Sequence, residues 1–312
     1  MELFQAWDAT LAAEPCNAPW KAPRFYRGSR RRVGRGSYHR SVIPPFVLPW
    51  ARCEPRRLRD LRGVLTDIDD TLTTEGAIPL GVVAALAALR AAGVPVVAVT
   101  GRPMGWSLAI ARDTPLAAIV AENGAVALFA DAAEARGVRV EYAESEAVRE
   151  ANTARLRAAA ERIVSAVPGA TLARDSAGRV TDIAIDHGEF AHLDAARIER
   201  VVALMREAGM NATVSSIHIN GWYGEHSKLT GADWVVRRLL GRGLEAEREQ
   251  WLYVGDSTND ELMFANFPLS VGVANLADFA DRLRQWPAFM TRHERGRGFV
   301  EVAESVLAAR NR

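Results

Sequence analysis

The chain has 312 residues, 49% of them hydrophobic and 25% charged, and a formal net charge of +1. That length can hold two domains, and the ordinary composition excludes fibrous and low-complexity classes. Two cysteines, Cys16 and Cys53, exclude a disulfide framework and fit a reducing cytosol, so a cytoplasmic location is expected.

The first residues carry acids where a signal peptide needs bases, and no apolar core follows them. The most apolar stretch, 82–99, is broken by Arg90, Gly93 and Pro95 and reads as a helix followed by a strand, so no membrane partner is expected. The charge is unevenly placed: residues 1–62 carry thirteen Lys and Arg against five Asp and Glu, and the remainder carries 26 against 33. The excess is densest from Lys21 to Arg40. Such a segment is either an arm for nucleic acid or another anionic surface, or an Arg-rich extension with no partner. No zinc-ligand spacing or nucleic-acid-binding pattern accompanies it, so nucleic acid is not the expected partner. Residues 1–60, with Pro, Gly and Arg clusters and little periodicity, read as a basic, flexible N-terminal extension.

From residue 61 strands and helices alternate. Gly63–Thr66 reads as a strand, Pro79–Ala92 as a helix closed by Gly93, and Val94–Val99 as a Val-rich buried strand. A helix over 103–113 and a strand over Ala118–Val120 complete βαβαβ, the start of a doubly wound parallel sheet. Near Ala125 the texture changes. Residues 125–142 look like two strands around a turn, and Glu144–Val167 like a long helix. Thr171–Arg174 and Val180–Asp186 read as strands joined by a turn at Asp175–Gly178. A helix over His192–Ala208 and strand-like alternation over Ala212–Trp222 follow. The α/β rhythm then returns, with a helix at 228–240, a strand at Trp251–Val254, a helix at 259–265, a strand at Leu269–Val273 and a helix at 276–284. The expected class is α/β: a doubly wound, Rossmann-like core of residues 61–124 and 223–312, with an α+β module of residues 125–222 inserted in it.

Four pieces place chemistry at the carboxyl ends of these strands, where an open α/β sheet puts its site. They are Asp67-Ile68-Asp69-Asp70-Thr71, Val99-Thr100-Gly101-Arg102, Lys228 at a helix start, and Gly255-Asp256-Ser257-Thr258-Asn259-Asp260. Aspartates are poor strand formers and costly to bury unpaired, so the cluster after Leu65 suggests a magnesium ion, a phosphate to be attacked, or both; alone it also reads as an acidic turn capping a helix. If the substrate is a phosphate monoester, each piece has a role. A carboxylate can attack phosphorus to give an aspartyl-phosphate. At 4 Å and an effective dielectric of about 20, two unit charges interact by about 4 kcal/mol, so the approach to a dianion needs offsetting. Magnesium on Asp67, a nearby carbonyl and Asp256 would do this, with Lys228 as a second positive charge. Thr100 offers a hydroxyl to a non-bridging oxygen, and Asp69 can protonate the leaving alcohol and then deprotonate water. Of the 39 basic residues only Lys21 and Lys228 are lysine, so a lysine at this place in the order stands out.

The four motifs, DIDDTL, VTGR, Lys228 and GDSTNDELMF, resemble those of the haloacid-dehalogenase-like hydrolase superfamily. The resemblance covers roughly residues 61–312. AENGA at 121–125, and the place of the insertion, resemble the subgroup with a large α/β cap between the second and third motifs, which includes sucrose-phosphate and mannosyl-phosphoglycerate phosphatases and phosphomannomutases. The resemblance implies Asp67 as nucleophile, Asp69 as acid/base, Lys228 and Thr100 as their catalytic partners, and Mg2+ on Asp67, the Asp69 carbonyl and Asp256 with Asp260 in support. Asp70 and Leu229 stand where many relatives have glycine.

The expected phosphate-binding set is Thr100, Gly101, Arg102, Asn123, Lys228 and Asn259. His218, Asn220 and Trp222 alternate on one strand face, either as a substrate-contact strip or as the polar face of an edge strand. Asp182, Asp186 and His187 suggest a second metal or, more simply, solvated strand ends. The triplets at 241–243 and 296–298 read as turns. The expected function is a magnesium-dependent phosphatase acting on a small phosphorylated metabolite, a sugar phosphate. The alternative is a phosphomutase using the same aspartate pair. A dehalogenase lacks the second aspartate, a pump needs membrane spans, and a non-catalytic binding protein has no use for every catalytic residue type.

Overall fold

The structure is a computed structural model that describes residues 43–311; Cys16 and the Lys21–Arg40 segment lie outside the described residues. The strands are β1 (Leu48–Pro49), β2 (Gly63–Thr66), β3 (Val96–Val99), β4 (Ala118–Ala121), β5 (Val126–Ala130), β6 (Val138–Tyr142), β7 (Thr171–Leu172), β8 (Asp182–Asp186), β9 (Asn211–Val214), β10 (His218–Trp222), β11 (Trp251–Gly255), β12 (Leu269–Gly272) and β13 (Phe289–Met290). The helices are α1 (Pro55–Arg59), α2 (Leu80–Ala91), α3 (Met104–Asp113), α4 (Glu146–Ala166), α5 (Ala195–Glu207), α6 (Lys228–Leu240), α7 (Glu261–Asn266) and α8 (Arg295–Arg310). Among the described residues no helix is long and apolar enough to cross a membrane.

Nine strands form one sheet in the order β1-β13-β12-β11-β2-β3-β4-β5-β6. Seven of them, β1 to β4 and β11 to β13, run parallel. Every residue of β2, β3, β4 and β11 is buried, because helices cover both faces. One face packs on α1, α2, α3 and α8 through Leu58, Leu86, Ile110 and Phe299, and the other on α6 and α7 through Val235 and Met263. The chain runs outward from β2 to β3 and β4, then returns to its other side with β11, so β2 and β11 flank the switch point of the sheet. A crevice opens there at the carboxyl ends of the strands. Asp67 and Asp256 sit at that crevice, each directly after its strand.

A second sheet, antiparallel and of order β7-β8-β10-β9, carries α4 and α5 on one face. Strand alternation sorts its residues: Ile183, Ile185 and Ile219 join the helices in an apolar cluster, and Asp182, His218 and Asn220 take the opposite face, toward the nine-stranded sheet.

Four expectations change. Residues 125–142 form β5 and β6, antiparallel additions to the large sheet, so the inserted module begins beyond Tyr142. Residues 43–60 are part of the core: β1 pairs with β13, and Trp50, Cys53 and Leu58 are buried against it. Ala274–Phe279 is a short 3-10 helix in place of a helix over 276–284. The triplet Gly296-Arg297-Gly298 lies inside the first turn of α8, where a Cβ on Gly296 would stand 2.9 Å from the Leu72 carbonyl oxygen. Poor intrinsic helix formers are used there because the helix start crosses the chain so closely.

Candidate active site

Asp67 is placed by its backbone N–H, which donates to the Val254 carbonyl at 2.9 Å across the switch point. Lys228 opens α6, whose start is fixed by Ser227: its hydroxyl accepts from the Thr230 N–H at 3.2 Å, and the Thr230 hydroxyl accepts from the Ser227 N–H at 2.8 Å. The helix seats closely on the Glu122–Gly124 turn. A Cβ on Gly231 would lie 2.5 Å from Gly124 Cα, and Gly124 itself has φ +116°, which glycine alone adopts readily.

This seating brings Lys228 Nζ to 2.8 Å from Asp67 Oδ1 and 2.7 Å from Asp260 Oδ1, all three side chains being buried. Burial opposes the Lys228 charge, but Asp260 and Asp67 hold its pKa above the ordinary lysine value. Burial pushes Asp67 up to about 8 against the pull of Lys228, and the charges of Asp260 and Asp69 add to the rise. Asp256 is driven well above the carboxylate range, by burial first and then by Asp67, Asp260 and Asp70. Its side-chain partner is the Asn275 amide at 3.3 Å.

Asp260 is saturated by donors. Besides Lys228 it accepts from the Tyr253 hydroxyl and from the backbone N–H groups of Asp256 at 2.9 Å and Ser257 at 3.1 Å. It therefore orients Lys228 and the turn and is not turned toward a metal. Among the described residues no three His, Cys, Asp or Glu side chains form a complete metal cage. The donor set nevertheless fits one divalent cation: Asp67 and Asp256 are buried carboxylates with more negative charge around them than Lys228 offsets.

Asp69 faces Arg102, which reaches it with Nε at 3.0 Å and Nη2 at 2.9 Å. Arg102 also meets Asp175 at 3.0 Å and Glu189 at 3.5 Å, so it is committed to three carboxylates and is not open to a phosphate as expected. Thr100 is buried at the end of β3, and its hydroxyl accepts the Arg102 N–H at 3.0 Å. The Gly101 carbonyl accepts from Arg179 at 2.9 Å and Asn220 at 3.2 Å. Asn259 accepts from the Ser257 hydroxyl at 2.9 Å.

Asp67, Asp69, Thr100, Gly101, Arg102, Asp256 and Asn259 share a cavity with Ser215, Ser216, Ile217, His218 and Asn220 of the module. Asn123, expected at the phosphate, instead lies beneath the cavity and donates to Asp182 at 3.3 Å. Of the expected contact strip, His218 and Asn220 reach the cavity, while Trp222 donates to the His226 carbonyl at 3.0 Å between the two parts of the molecule.

Asp182, Asp186 and His187 do not converge. Asp182 pairs with Arg179 at 2.9 Å. Asp186 accepts four backbone N–H groups, of Gly188, Glu189, Phe190 and Ala191, at 2.9–3.1 Å. His187 donates to the Ser215 carbonyl at 3.0 Å.

Asp70 has φ +52°, a left-handed backbone that an aspartate tolerates, and Arg295 pairs with it at 3.0 Å.

Several residues here were not singled out by sequence. Glu122 is fully buried and accepts from Met104 N–H, Val180 N–H, and both the N–H and hydroxyl of Thr181 at 2.6–3.1 Å. Arg179 is equally buried, between Asp175 and Asp182. Glu189 accepts from His218 Nε2 at 3.0 Å. An acid directly after the apolar run Ala118–Ala121 was the available signal for Glu122; nothing local announces the others.

Residues 64–164 match the family model for haloacid dehalogenase-like hydrolases. No curated protein matches the chain in sequence. Solved structures share its fold. A Thermoplasma acidophilum protein aligns with TM-score 0.61 at 15% identity over 79% of this chain and 98% of that one. The sucrose-phosphatase of Synechocystis sp. PCC6803, solved with sucrose and phosphate, aligns with TM-score 0.55 at 14% identity over 79% and 98%. A subclass IIB sugar phosphatase aligns with TM-score 0.51 at 16% identity over 78% and 98%. The four motifs gather in order at the switch point of this sheet, and residues 64–164 carry the match to haloacid dehalogenase-like hydrolases.

Proposed function

We propose that the protein is a magnesium-dependent phosphatase that hydrolyses a small phosphomonoester, a sugar phosphate, through an aspartyl-phosphate on Asp67. The observation that carries this reading is Lys228 Nζ held between Asp67 and Asp260 at 2.8 and 2.7 Å, at the mouth of the switch-point crevice. An Asp67 oxygen attacks phosphorus, and the bond from phosphorus to the leaving oxygen breaks as Asp69 gives that oxygen its proton. Asp69 then takes a proton from water, the water oxygen attacks phosphorus, and the bond to Asp67 breaks, returning the carboxylate and free phosphate. Lys228 and the Thr100 hydroxyl offset charge on the phosphoryl oxygens. Asp67, Asp256 and the Asp69 carbonyl would hold the magnesium, which when bound offsets the negative charge of nucleophile and substrate together.

The inserted module acts as a cap, since its hairpin forms one wall of the cavity that holds Asp67, Asp69 and Asp256. Sucrose-phosphatase and a sugar phosphatase among the similar folds support a sugar phosphate. The cysteine content supports a cytosolic setting.

The test is phosphate release from a panel of phosphorylated metabolites, with and without magnesium, by the wild type and Asp67→Asn. Magnesium-dependent release that the variant loses is expected. Release that survives Asp67→Asn would remove Asp67 as nucleophile. No release, with Asp67 still labelled by a sugar bisphosphate, would turn the reading to a phosphomutase.

A further inference from the structure

We propose that Thr258 is a positioning residue for the leaving group. Its hydroxyl fixes the tip of the module's β9–β10 hairpin against the loop that carries Asp256, and so sets how the leaving group fits without touching the phosphoryl chemistry. This rests on the phosphatase reading above.

The hairpin is a rigid piece in itself. β9 is the edge strand of the four-stranded sheet and pairs with β10, Val214 standing opposite Ile219. At the tip the Ser215 N–H donates to the His218 carbonyl at 2.9 Å, and the Ser215 hydroxyl accepts from the N–H groups of Ile217 at 3.3 Å and His218 at 3.0 Å. The Ser215 carbonyl accepts from His187 Nε2 at 3.0 Å. Antiparallel strands alternate bonded and non-bonded pairs, so beside the bonded Ser215–His218 pair Val214 turns its carbonyl outward, to the free edge of β9. There the Thr258 hydroxyl donates to it at 2.7 Å.

The loop on the core side is also self-contained. The N–H groups of Asp256 and Ser257 donate to Asp260 at 2.9 and 3.1 Å, and the Ser257 hydroxyl to Asn259 at 2.9 Å. The Thr258 hydroxyl takes no part in those bonds, and Thr258 does not line the cavity. It joins two pieces that do: Asp256 and Ser257 on one side, Ser216 and His218 on the other. Further ties between module and core lie beyond the ends of β3 and β4. There Asn220 and Arg179 donate to the Gly101 carbonyl, Asp175 pairs with Arg102, and Glu122 accepts from Val180 and Thr181. A tilt of the module about those ties moves the hairpin tip against Asp256, and the Thr258 bond opposes the tilt from the β11 side. A leaving group that reaches the hairpin feels the tilt, and one too short to reach it does not.

The experiment compares kcat/KM, with magnesium, for the sugar monophosphate that the wild type hydrolyses best and for acetyl phosphate, whose leaving group is too short to reach the hairpin. Thr258→Val keeps the shape of the side chain and loses the hydroxyl. It should lower the sugar phosphate value about tenfold or more and the acetyl phosphate value by less than about twofold. Thr258→Ser keeps the donor and should hold the sugar phosphate value within about threefold of the wild type. Equal losses on both probes would show that the hydroxyl supports the Asp256 loop and not the hairpin. No loss on either would show that the hairpin needs no such tie, and a loss in Thr258→Ser as large as in Thr258→Val would assign the effect to packing. Each of these overturns the proposal and leaves the phosphatase reading standing. Where Thr258→Val does not fold, Thr258→Ala removes the hydroxyl for the same comparison. A wild type that releases phosphate from no sugar monophosphate overturns the reading above and this inference with it.

Discussion

Arg102 faces Asp69 with two nitrogens, Nε at 3.0 Å and Nη2 at 2.9 Å, and on its far side meets Asp175 of the inserted module at 3.0 Å. One side chain, 3% exposed, thus ties the residue assigned to proton transfer to the part of the molecule that closes the cavity. The position of Asp69 depends on where the module sits.

Arg102→Ala tests this coupling. It leaves Asp69, Asp175 and Glu189 without their shared cation, and removing one partner of a buried ion pair costs about 3–5 kcal/mol. Denaturant unfolding should show a loss in that range. Phosphate release should fall about 100-fold or more in kcat with a smaller change in KM, because proton transfer depends on the orientation of Asp69. Arg102→Lys should restore part of the stability and little of the rate, since a single ammonium cannot match a fork bonded to three carboxylates. Equal rates for wild type and Arg102→Ala would show that Asp69 needs no such support.

Glu122 is the second anchor between the two parts. It is buried and ionisable, and its acceptors are met by Met104, Val180 and Thr181. Glu122→Gln replaces an acceptor-only group with one that must also donate, and sets its amide against backbone N–H groups. A loss of about 2–4 kcal/mol is expected. Amide exchange should accelerate at Val180, Thr181 and Met104 before it does in β2 or β3. Uniform acceleration across the chain would mean that Glu122 supports the whole fold and not this junction.

How far the sequence reaches can be seen residue by residue. Asp67, Thr100, Lys228 and Asp256 were legible because each ends a strand or opens a helix whose apolar pattern is clear, and such places are where an α/β sheet puts polar groups. Asn123 was drawn to the phosphate by its neighbours in the chain, yet its left-handed backbone, φ +56°, turns it under the cavity toward Asp182. Arg102 looked like a phosphate ligand because its carboxylate partners Asp175 and Glu189 are more than 70 residues away in sequence. The start of α8 was hidden by two glycines kept for close packing against Leu72 and His293. Residues 43–60 lack periodicity, but Trp50 still finds a place against Phe289, their rings edge-to-face at 5.7 Å. Contacts that depend on tertiary proximity leave no local period to read.

Asp256 offers a test of the metal that does not depend on turnover. Its carboxyl is buried and crowded by Asp67, Asp260 and Asp70, so its charged form is costly until a cation is bound. Magnesium should therefore raise the thermal midpoint; at 100 times its Kd the stabilisation is about 2.7 kcal/mol. Asp256→Asn replaces the carboxyl with a neutral amide of the same shape. It should leave the midpoint in EDTA no lower than the wild type's, abolish most of the magnesium response, and cost activity. A variant less stable than the wild type in EDTA, with an intact magnesium response, would place the metal elsewhere.

His226 gives the fold a dependence on pH that can be isolated by one substitution. It lies just before Lys228, stacked on Trp222 with ring centroids 5.7 Å apart; Glu144 Oε1 stands 4.0 Å from Nδ1, and among the described residues neither ring nitrogen has a hydrogen-bond partner. Burial pushes its pKa down from 6.5 to about 4. The folded state therefore resists the proton while the unfolded chain accepts it near 6.5, so the unfolded state binds more protons throughout that interval. Stability is fully present above pH 6.5 and is lost as pH falls toward 4, by about 2–3 kcal/mol in total. His226→Leu removes the titrating group while keeping an apolar side chain in place. The difference in unfolding free energy between wild type and variant, followed from pH 7.5 to 4, should shift by about that amount in favour of the variant. A difference that stays flat across the interval would show that the imidazole is hydrated in the folded protein and titrates as it does in the unfolded chain.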